Sequence, residues 1–202
     1  GNIRGSRCRA RVVPVLQRKL PTHLSSLGVR LDMIDSGWYS QNRSAYTSPV
    51  EQCRAKYLLH LRGNGYSAGL KYKLACGSLV VRMRSEPYDE FFYHALTEGV
   101  HYVAVDLPPV EYVSAADRSV GINAVERVTV SQLEALFTGN SASRRAHALR
   151  GSFNHSGLLS VEGQLRAQQI ADAGRAFVRD HLSTRALNCY WLLALEQYSR
   201  IY

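Results

Sequence analysis

The sequence lacks several features that would place a protein in a class at once. No apolar run approaches the ~20 residues that a membrane-spanning helix needs, so we expect no direct membrane insertion. There is no internal repeat, no low-complexity segment and no visible signal peptide, and the chain begins with GNIRG rather than methionine, which favours a fragment of a longer protein. With 202 residues, 46% hydrophobic and 20% charged, the composition is typical of one globular domain.

Cysteine is scarce, and its spacing matches no common metal motif. The four cysteines are Cys8, Cys53, Cys76 and Cys189. Since none forms a CxxC pair and no cysteine–histidine spacing is typical of zinc, we expect no metal site. Four buried thiols and a disulfide framework both fit this pattern. Two N-glycosylation triplets, at Asn42 and Asn154, are compatible with a secretory protein.

The charge is strongly positive, at +9 with a pI of about 9.6. Nucleic acid, an anionic membrane, a phosphorylated small ligand and a merely solvated basic surface are all compatible with that balance. The basic residues are scattered, and no RNA-binding or zinc-finger signature is present. We therefore expect no nucleic-acid partner.

Apolar patterns and turn residues predict alternating strands and helices. Strands are predicted within Leu27–Trp38 and at Tyr57–Leu61, Ser78–Met83 and His101–Val105. Helices are predicted at Val12–Leu20, from Ser48 and Pro49, at Ala68–Cys76 with Ser67 as N-cap, at Asp89–Leu96, from Ser131, from Ser160 to about Leu182, and through Leu187–Tyr198. The last two helices each carry an apolar stripe, formed by Ala167, Ile170, Ala171, Gly174, Phe177 and Val178 in the first and by Leu187, Trp191, Ala194, Leu195 and Tyr198 in the second. Residues 139–159 are predicted to form a long exposed loop. This order predicts a single α/β domain over residues 1–202, with a Rossmann-like parallel sheet flanked by helices.

The segment Arg62–Ser67 follows a predicted strand and opens a helix that carries Lys71 and Lys73. Ligands bind outside the carboxyl ends of the strands in such sheets, and backbone N–H groups near cations suit a phosphate. The glycines Gly63, Gly65 and Gly69 form neither a Walker A loop nor a GxGxxG fingerprint. An anion cradle and an ordinary turn both remain open.

A longer stretch, EQCRAKYLLHLRGNGYSAGLKYKLACGSLVVRMRSEPYDEFFYHALTEGVHYVAVD (Glu51–Asp106), resembles glycosyltransferase family 90, the capsule-associated and protein O-glucosyltransferase-like enzymes. The resemblance extends to Ser160–Ser199 and, more weakly, to the opening GNIRGSRCRAR, with residues 139–159 as an insertion. It implies a GT-B architecture of two Rossmann-like domains, of which this chain is the C-terminal, donor-binding half. Such enzymes transfer glucose or xylose from UDP-glucose or UDP-xylose to a hydroxyl of a protein or glycan, without a metal or other cofactor. An inactive nucleotide-sugar-binding or regulatory module is the alternative.

The resemblance also implies roles for individual residues. The donor-binding positions are Gly65, Tyr66, Ser67, Lys71, Glu90 and, in the first segment, Arg9 and Arg11. The diphosphate charge would rest on Lys71, Lys73 or an arginine of the first segment, Arg9 or Arg11. Glu90 would take ribose hydroxyls, unless it is a surface carboxylate that caps a helix. Gly69 departs from the pattern, because many relatives have an arginine there.

The resemblance assigns no catalytic base to this chain. None of Asp32, Asp35, Asp89 and Asp106 matches the family motif, whose carboxylate belongs to the N-terminal half, so we expect the chain alone to be inactive. The resemblance further implies a Cys53–Cys76 disulfide and a Cys189 without its partner. A disulfide and glycosylation triplets together predict the lumen of the endoplasmic reticulum or Golgi.

Overall fold

The computed structural model describes residues 25–26, 28–29, 47–61, 67–84, 89–106, 130–139 and 157–201. The predicted helix Val12–Leu20, nearly all of the predicted strand and turn in Leu27–Trp38, and most of the loop at 139–159 lie outside these residues. The single-domain organisation over 1–202 stays a prediction.

Three parallel strands form the sheet, in the order β1-β2-β3. They are β1 (Tyr57–Leu61), β2 (Leu79–Arg84) and β3 (Val103–Asp106). Tyr57 pairs with Leu79, and Val81 pairs with Val103. The strand predicted at Tyr57–Leu61 is confirmed at both ends, and the bounds of the next two are each displaced by one or two residues. Five of the six residues of β2 are buried, as is typical of a strand covered on both faces.

The helices of the described residues connect and cover these strands. They are α1 (Pro49–Gln52), α2 (Leu70–Ala75), a 3-10 turn (Tyr93–Ala95), α3 (130–138), α4 (Val161–His181) and α5 (Thr184–Ile201). The predicted start of α1 is confirmed by a capping box, in which Glu51 N–H donates to Ser48 Oγ at 3.2 Å and Ser48 N–H donates to Glu51 Oε2 at 2.9 Å. Gly77, with φ of +70°, ends α2 as expected from the freedom of glycine in this conformation.

Two predicted helices differ from those observed. Ser67 is not the N-cap of α2, because the helix begins two residues later and its N-cap is Gly69, which offers no side-chain hydrogen bond. The predicted helix Asp89–Leu96 is only the 3-10 turn Tyr93–Ala95. Leu96 is already extended, with φ of −85° and ψ of 133°, because the chain must turn back towards β3 there.

Side chains from both faces of the sheet form two hydrophobic clusters. Toward α3 lie Leu79, Val81, Met83, Val103 and Val105, packed with Leu133, Phe137, Ala167 and Ile170. Toward α2 lie Val80 and Ala104, packed with Leu70, Leu74, Phe92, Tyr93, Tyr102 and Phe177. Alternate residues of β2 and β3 thus enter opposite clusters, which follows from the two-residue repeat of a strand. The predicted Rossmann-like α/β arrangement is confirmed.

Helix α4 packs along the sheet with the face that its sequence predicts. Ser160 caps it by accepting a hydrogen bond from Gly163 N–H at 2.9 Å. Its buried residues include Ala167, Ile170, Ala171, Gly174 and Phe177. At Gly174 an added Cβ would lie 2.7 Å from the carbonyl oxygen of His101, so only glycine allows this close approach of α4 to the chain before β3.

Helix α5 carries the predicted apolar stripe, but the structure does not bury it. No residue of α5 is buried, and Trp191, Leu195 and Tyr198 are 55%, 64% and 60% exposed. The stripe is therefore present as a sequence pattern, but it differs from the α4 face in being exposed. Phe91 lies against Tyr190 and Trp191 of α5, with ring centres 5.0 and 6.3 Å apart. Within the described ranges, no helix is long and apolar enough to span a bilayer.

A disulfide joins Cys53, just after α1, to Cys76, just after α2. The two Cα atoms are 4.8 Å apart, inside the 4.4–6.8 Å range of such bonds. The pairing implied by the family resemblance is therefore present, and it closes the unit formed by β1, the following loop and α2. Cys189 is exposed and has no disulfide partner among the described residues.

Replacing Cys53 and Cys76 together by alanine should lower the free energy of unfolding by about 3 kcal/mol, since the unfolded chain gains the conformational freedom of the opened loop. Denaturant unfolding measures this loss. Cys189→Ala is the matched control, because this cysteine is exposed and free. A loss no larger than that of the control would contradict a stabilising role for the disulfide.

Candidate functional site

The carboxyl ends of all three strands lie at one edge of the sheet. Leu61, Arg84 and Asp106 end the strands there, and α2 begins after the loop that follows Leu61. This is the edge at which ligands bind in parallel α/β sheets. Several predicted positions lie outside the described residues: Gly65, Tyr66, Arg9, Arg11, Asn42 and Asn154. Ser67, Lys71 and Glu90 are described.

Lys71 and Glu90, predicted separately as donor-binding residues, are in contact. Lys71 Nζ lies 3.3 Å from Glu90 Oε1, although the two residues are 19 positions apart in the sequence. The Glu90 side chain is 8% exposed and that of Lys71 is 34% exposed. The alternative reading of Glu90 as a surface carboxylate that caps a helix is therefore wrong, since this side chain is buried against α2.

The second carboxylate oxygen of Glu90 is also buried, and it accepts no hydrogen bond from any described residue. A buried polar atom without a partner costs about 1–3 kcal/mol. Such groups are uncommon in folded proteins and each calls for a reason. Among the described residues, this oxygen is therefore a buried acceptor whose hydrogen-bonding capacity is unused.

Lys73 has a different role from Lys71, although both lie on α2. Its ammonium group donates a hydrogen bond to the main-chain carbonyl of Leu59 in β1. This contact ties α2 to the strand that precedes it. Lys73 therefore contributes to the packing of α2 on the sheet, while Lys71 lies beside Glu90.

Gly69 has an ordinary backbone conformation, with φ of −78° and ψ of −12°. An added Cβ would meet only Ser67 Oγ, at 3.7 Å, which is a normal van der Waals distance. The fold therefore does not require glycine here. Ser67 and Gly69 lie side by side at the start of α2, so a longer side chain at position 69 would project from the region of the predicted donor loop.

Sequence reasoning missed Arg82, a buried arginine on β2. Arg82 is 7% exposed, and its Nη2 lies 2.7 Å from Asp89 Oδ1. Its guanidinium lies 4.4 Å from the ring centre of Tyr93 and 5.8 Å from that of Tyr102. Burial acts to lower the pKa of Arg82, but the hydrogen bond to Asp89 and the electrostatic interactions with Tyr102, Asp89 and Tyr93 together outweigh it, so the pKa is raised overall. The one signal in the sequence was an arginine within the apolar run LVVRMR.

Arg84 makes a second ion-pair cluster at the end of β2. Its Nε and Nη1 lie 2.7 Å from Asp106 Oδ1 and Glu98 Oε2 respectively. The Asp106 hydrogen bond is the largest cause of a raised Arg84 pKa. The Gln132 side chain holds the main chain of Asp106 through hydrogen bonds of 3.0 and 2.9 Å. Asp89 and Asp106, two carboxylates not assigned as bases, thus both bind arginines.

The chain matches known proteins over much of its length. Residues 4–113 match the model of the family described as Glycosyl transferase family 90. The chain is 28% identical over 151 residues to Protein O-glucosyltransferase 1 of Homo sapiens, covering 75% of this chain and 28% of that protein. It is 28% identical over 173 residues to O-glucosyltransferase rumi of Drosophila pseudoobscura pseudoobscura, covering 83% and 32%. It is 30% identical over 151 residues to the O-glucosyltransferase rumi homolog of Anopheles gambiae, covering 75% and 28%.

The chain spans about a third or less of the length of the curated relatives that it matches. The family match covers residues on both sides of the Lys71–Glu90 contact and the whole described sheet, β1 to β3. Because that match includes more than half of the residues, the chain belongs to glycosyl transferase family 90.

Proposed function

We propose that this chain binds the UDP-sugar donor of a glycosyltransferase that transfers glucose or xylose to a hydroxyl of a protein or glycan. The observation that carries the proposal is the contact of Lys71 with Glu90 at the carboxyl edge of the sheet. Relatives named protein O-glucosyltransferases support a sugar donor and a protein acceptor. In the GT-B arrangement that the family resemblance implies, the chain is the donor-binding half.

The two residues offer complementary chemistry to a nucleotide diphosphate. The ammonium of Lys71 is part-exposed and can turn from Glu90 to a phosphate oxygen, where it would stabilise the charge that develops on the UDP leaving group. The buried second oxygen of Glu90, which accepts no hydrogen bond from any described residue, is the proposed acceptor for a ribose hydroxyl. Gly65, Tyr66 and Ser67 would contact the donor from the preceding loop, and no metal is needed if cationic side chains take the phosphate charge.

Helix α2 is short, with six residues, so its dipole supplies little of that charge stabilisation. The remaining positive charge falls to side chains. Arg9 and Arg11 are the proposed additional phosphate ligands, and the family match includes both.

Gly69 favours a second candidate function, an inactive nucleotide-sugar-binding or regulatory module. The arginine that many relatives have there is missing, although the backbone and the surrounding space would accept one. Transfer of glucose or xylose by the full-length protein would support the enzyme, and donor binding without transfer would support the module.

The disulfide and the triplets at Asn42 and Asn154 support a location in the lumen of the endoplasmic reticulum or Golgi. Disulfides persist in such oxidising compartments and are rare in the cytosol. The acceptor is then proposed to be a secretory protein or its glycan.

UDP should bind this chain measurably at millimolar concentration, because Lys71 and Glu90 are already held together at the sheet edge. Isothermal calorimetry and the shift of the unfolding temperature both report binding. AMP, whose base and single phosphate differ, serves as the control ligand. Neither heat nor a thermal shift with UDP would overturn the proposed function.

Lys71→Met should weaken UDP binding by about tenfold, the typical value of one charge-assisted hydrogen bond. Lys73→Met is the matched control, because it lies on the same helix but binds the Leu59 carbonyl. It should lower the unfolding temperature and leave UDP affinity within about twofold. Calorimetric titration of both variants measures these affinities. If Lys73→Met weakened UDP binding more than Lys71→Met, the assignment of Lys71 to the family's basic position would be wrong.

Gly69→Arg should strengthen UDP binding several-fold, because it adds a guanidinium beside Lys71 and Ser67 without backbone strain. Gly69→Ala provides the comparison, since it adds the Cβ without the charge. Equal UDP affinities of the two variants would show that position 69 does not face the phosphates.

A further inference from the structure

We propose that Arg82 and Asp89 are positioning residues for Glu90. Through Glu90 they determine how much more tightly the site binds a nucleotide with ribose hydroxyls than one without them. This inference rests on the proposed donor binding. Neither residue is assigned to touch the ligand. They act by holding the segment that carries the Glu90 carboxylate.

Arg82 contacts the segment Asp89–Tyr93 at both of its ends. Asp89, the residue before Glu90, accepts the 2.7 Å hydrogen bond from the guanidinium. Tyr93, which closes the turn, lies with its ring 4.4 Å from the same guanidinium. Between these two contacts, Tyr93 N–H donates to the Glu90 carbonyl at 2.9 Å. The main chain of Glu90 is thus fixed on both sides by one side chain.

Burying an arginine is unfavourable unless its charge is compensated. Asp89 provides that charge although its own side chain is 59% exposed. A surface aspartate would gain little from such a pair by itself. The effect of the Arg82–Asp89 pair is instead on Glu90, the residue that follows Asp89. Because the pair holds Asp89 toward the sheet, the Glu90 side chain turns inward, where it is 8% exposed.

The inward orientation gives the Glu90 carboxylate two distinct oxygens. One faces Lys71 at 3.3 Å, and the other is buried without a hydrogen bond from any described residue. The Arg82–Asp89 bond directs this second oxygen, since it holds the main chain from which the Glu90 side chain projects.

Arg82→Ala could unfold the domain, because Arg82 is buried between two tyrosines. Asp89→Ala is the sharper test, since its side chain is mostly exposed and its removal opens no cavity. Asp106→Ala is the matched control. Asp106 accepts an equally short bond, 2.7 Å, from Arg84 two residues along the same strand, and it is 61% exposed.

The readout is the ratio of the dissociation constants for 2′,3′-dideoxy-UDP and UDP, measured by calorimetry. We expect a ratio of about ten for the wild-type chain, the value of one hydrogen bond to a charged group. Glu90→Gln and Asp89→Ala should each lower the ratio to about two or three, and Asp106→Ala should leave it unchanged. Adding Asp89→Ala to Glu90→Gln should lower it no further, because both changes act through one carboxylate.

The outcomes separate this inference from the proposed function. If Glu90→Gln lowers the ratio and Asp89→Ala does not, Glu90 contacts the ribose but Arg82 and Asp89 do not position it, which overturns the inference. If the wild-type chain binds UDP and dideoxy-UDP equally, the inference fails while donor binding stands. If the wild-type chain binds no UDP, both fail. If Asp89→Ala lowers the stability but leaves the ratio of the two dissociation constants unchanged, the role of Asp89 is purely structural, and the inference is overturned.

Discussion

The parallel pairing of β1 with β2 is the constraint on which the site depends. Two parallel neighbours cannot be joined by a tight turn, so the chain must leave the carboxyl end of β1, cross one face of the sheet and re-enter at the start of β2. Helix α2 is that crossover. Leu70 and Leu74 bury one side of it, and Lys73 binds the Leu59 carbonyl of β1. Lys71 is left beside the sheet edge, and the Cys53–Cys76 disulfide joins the segment before β1 to the end of the crossover helix.

Strand β2 then organises the segments beyond the same edge. Val80, Arg82 and Arg84 alternate along one face of the strand, which begins in the hydrophobic cluster and ends in two ion-pair clusters. Arg82 holds the chain that follows β2, through Asp89. Arg84 holds the end of β3, through Asp106, and the turn before β3, through Glu98. One central strand therefore fixes the main chain around the candidate site by charge, while its other face is entirely apolar.

Local sequence patterns predicted the elements that depend on local capping residues or on a regular spacing of apolar residues. Strand β1 and the buried face of α4 followed from apolar spacing, and the start of α1 followed from Ser48 and Pro49. The start of α2 and the turn after Asp89 did not, because contacts distant in the sequence decide them. The α5 stripe was predicted correctly as a pattern, but periodicity does not say what covers a face. The partnership of Lys71 with Glu90 was also beyond local reasoning, since only the crossover brings the two residues together.

The ion pairs of this edge differ in a way that bears on function. Arg82 with Asp89 and Arg84 with Asp106 and Glu98 are joined by contacts of 2.7 Å, the length of strong charge-assisted hydrogen bonds. The part-exposed ammonium of Lys71 and the buried carboxylate of Glu90 are farther apart, at 3.3 Å. A lysine, unlike an arginine fork, is a single point charge on a flexible stem, so its direction can change at low cost. The arginine pairs are thus suited to hold the frame, and the Lys71–Glu90 pair is suited to exchange one partner for a ligand.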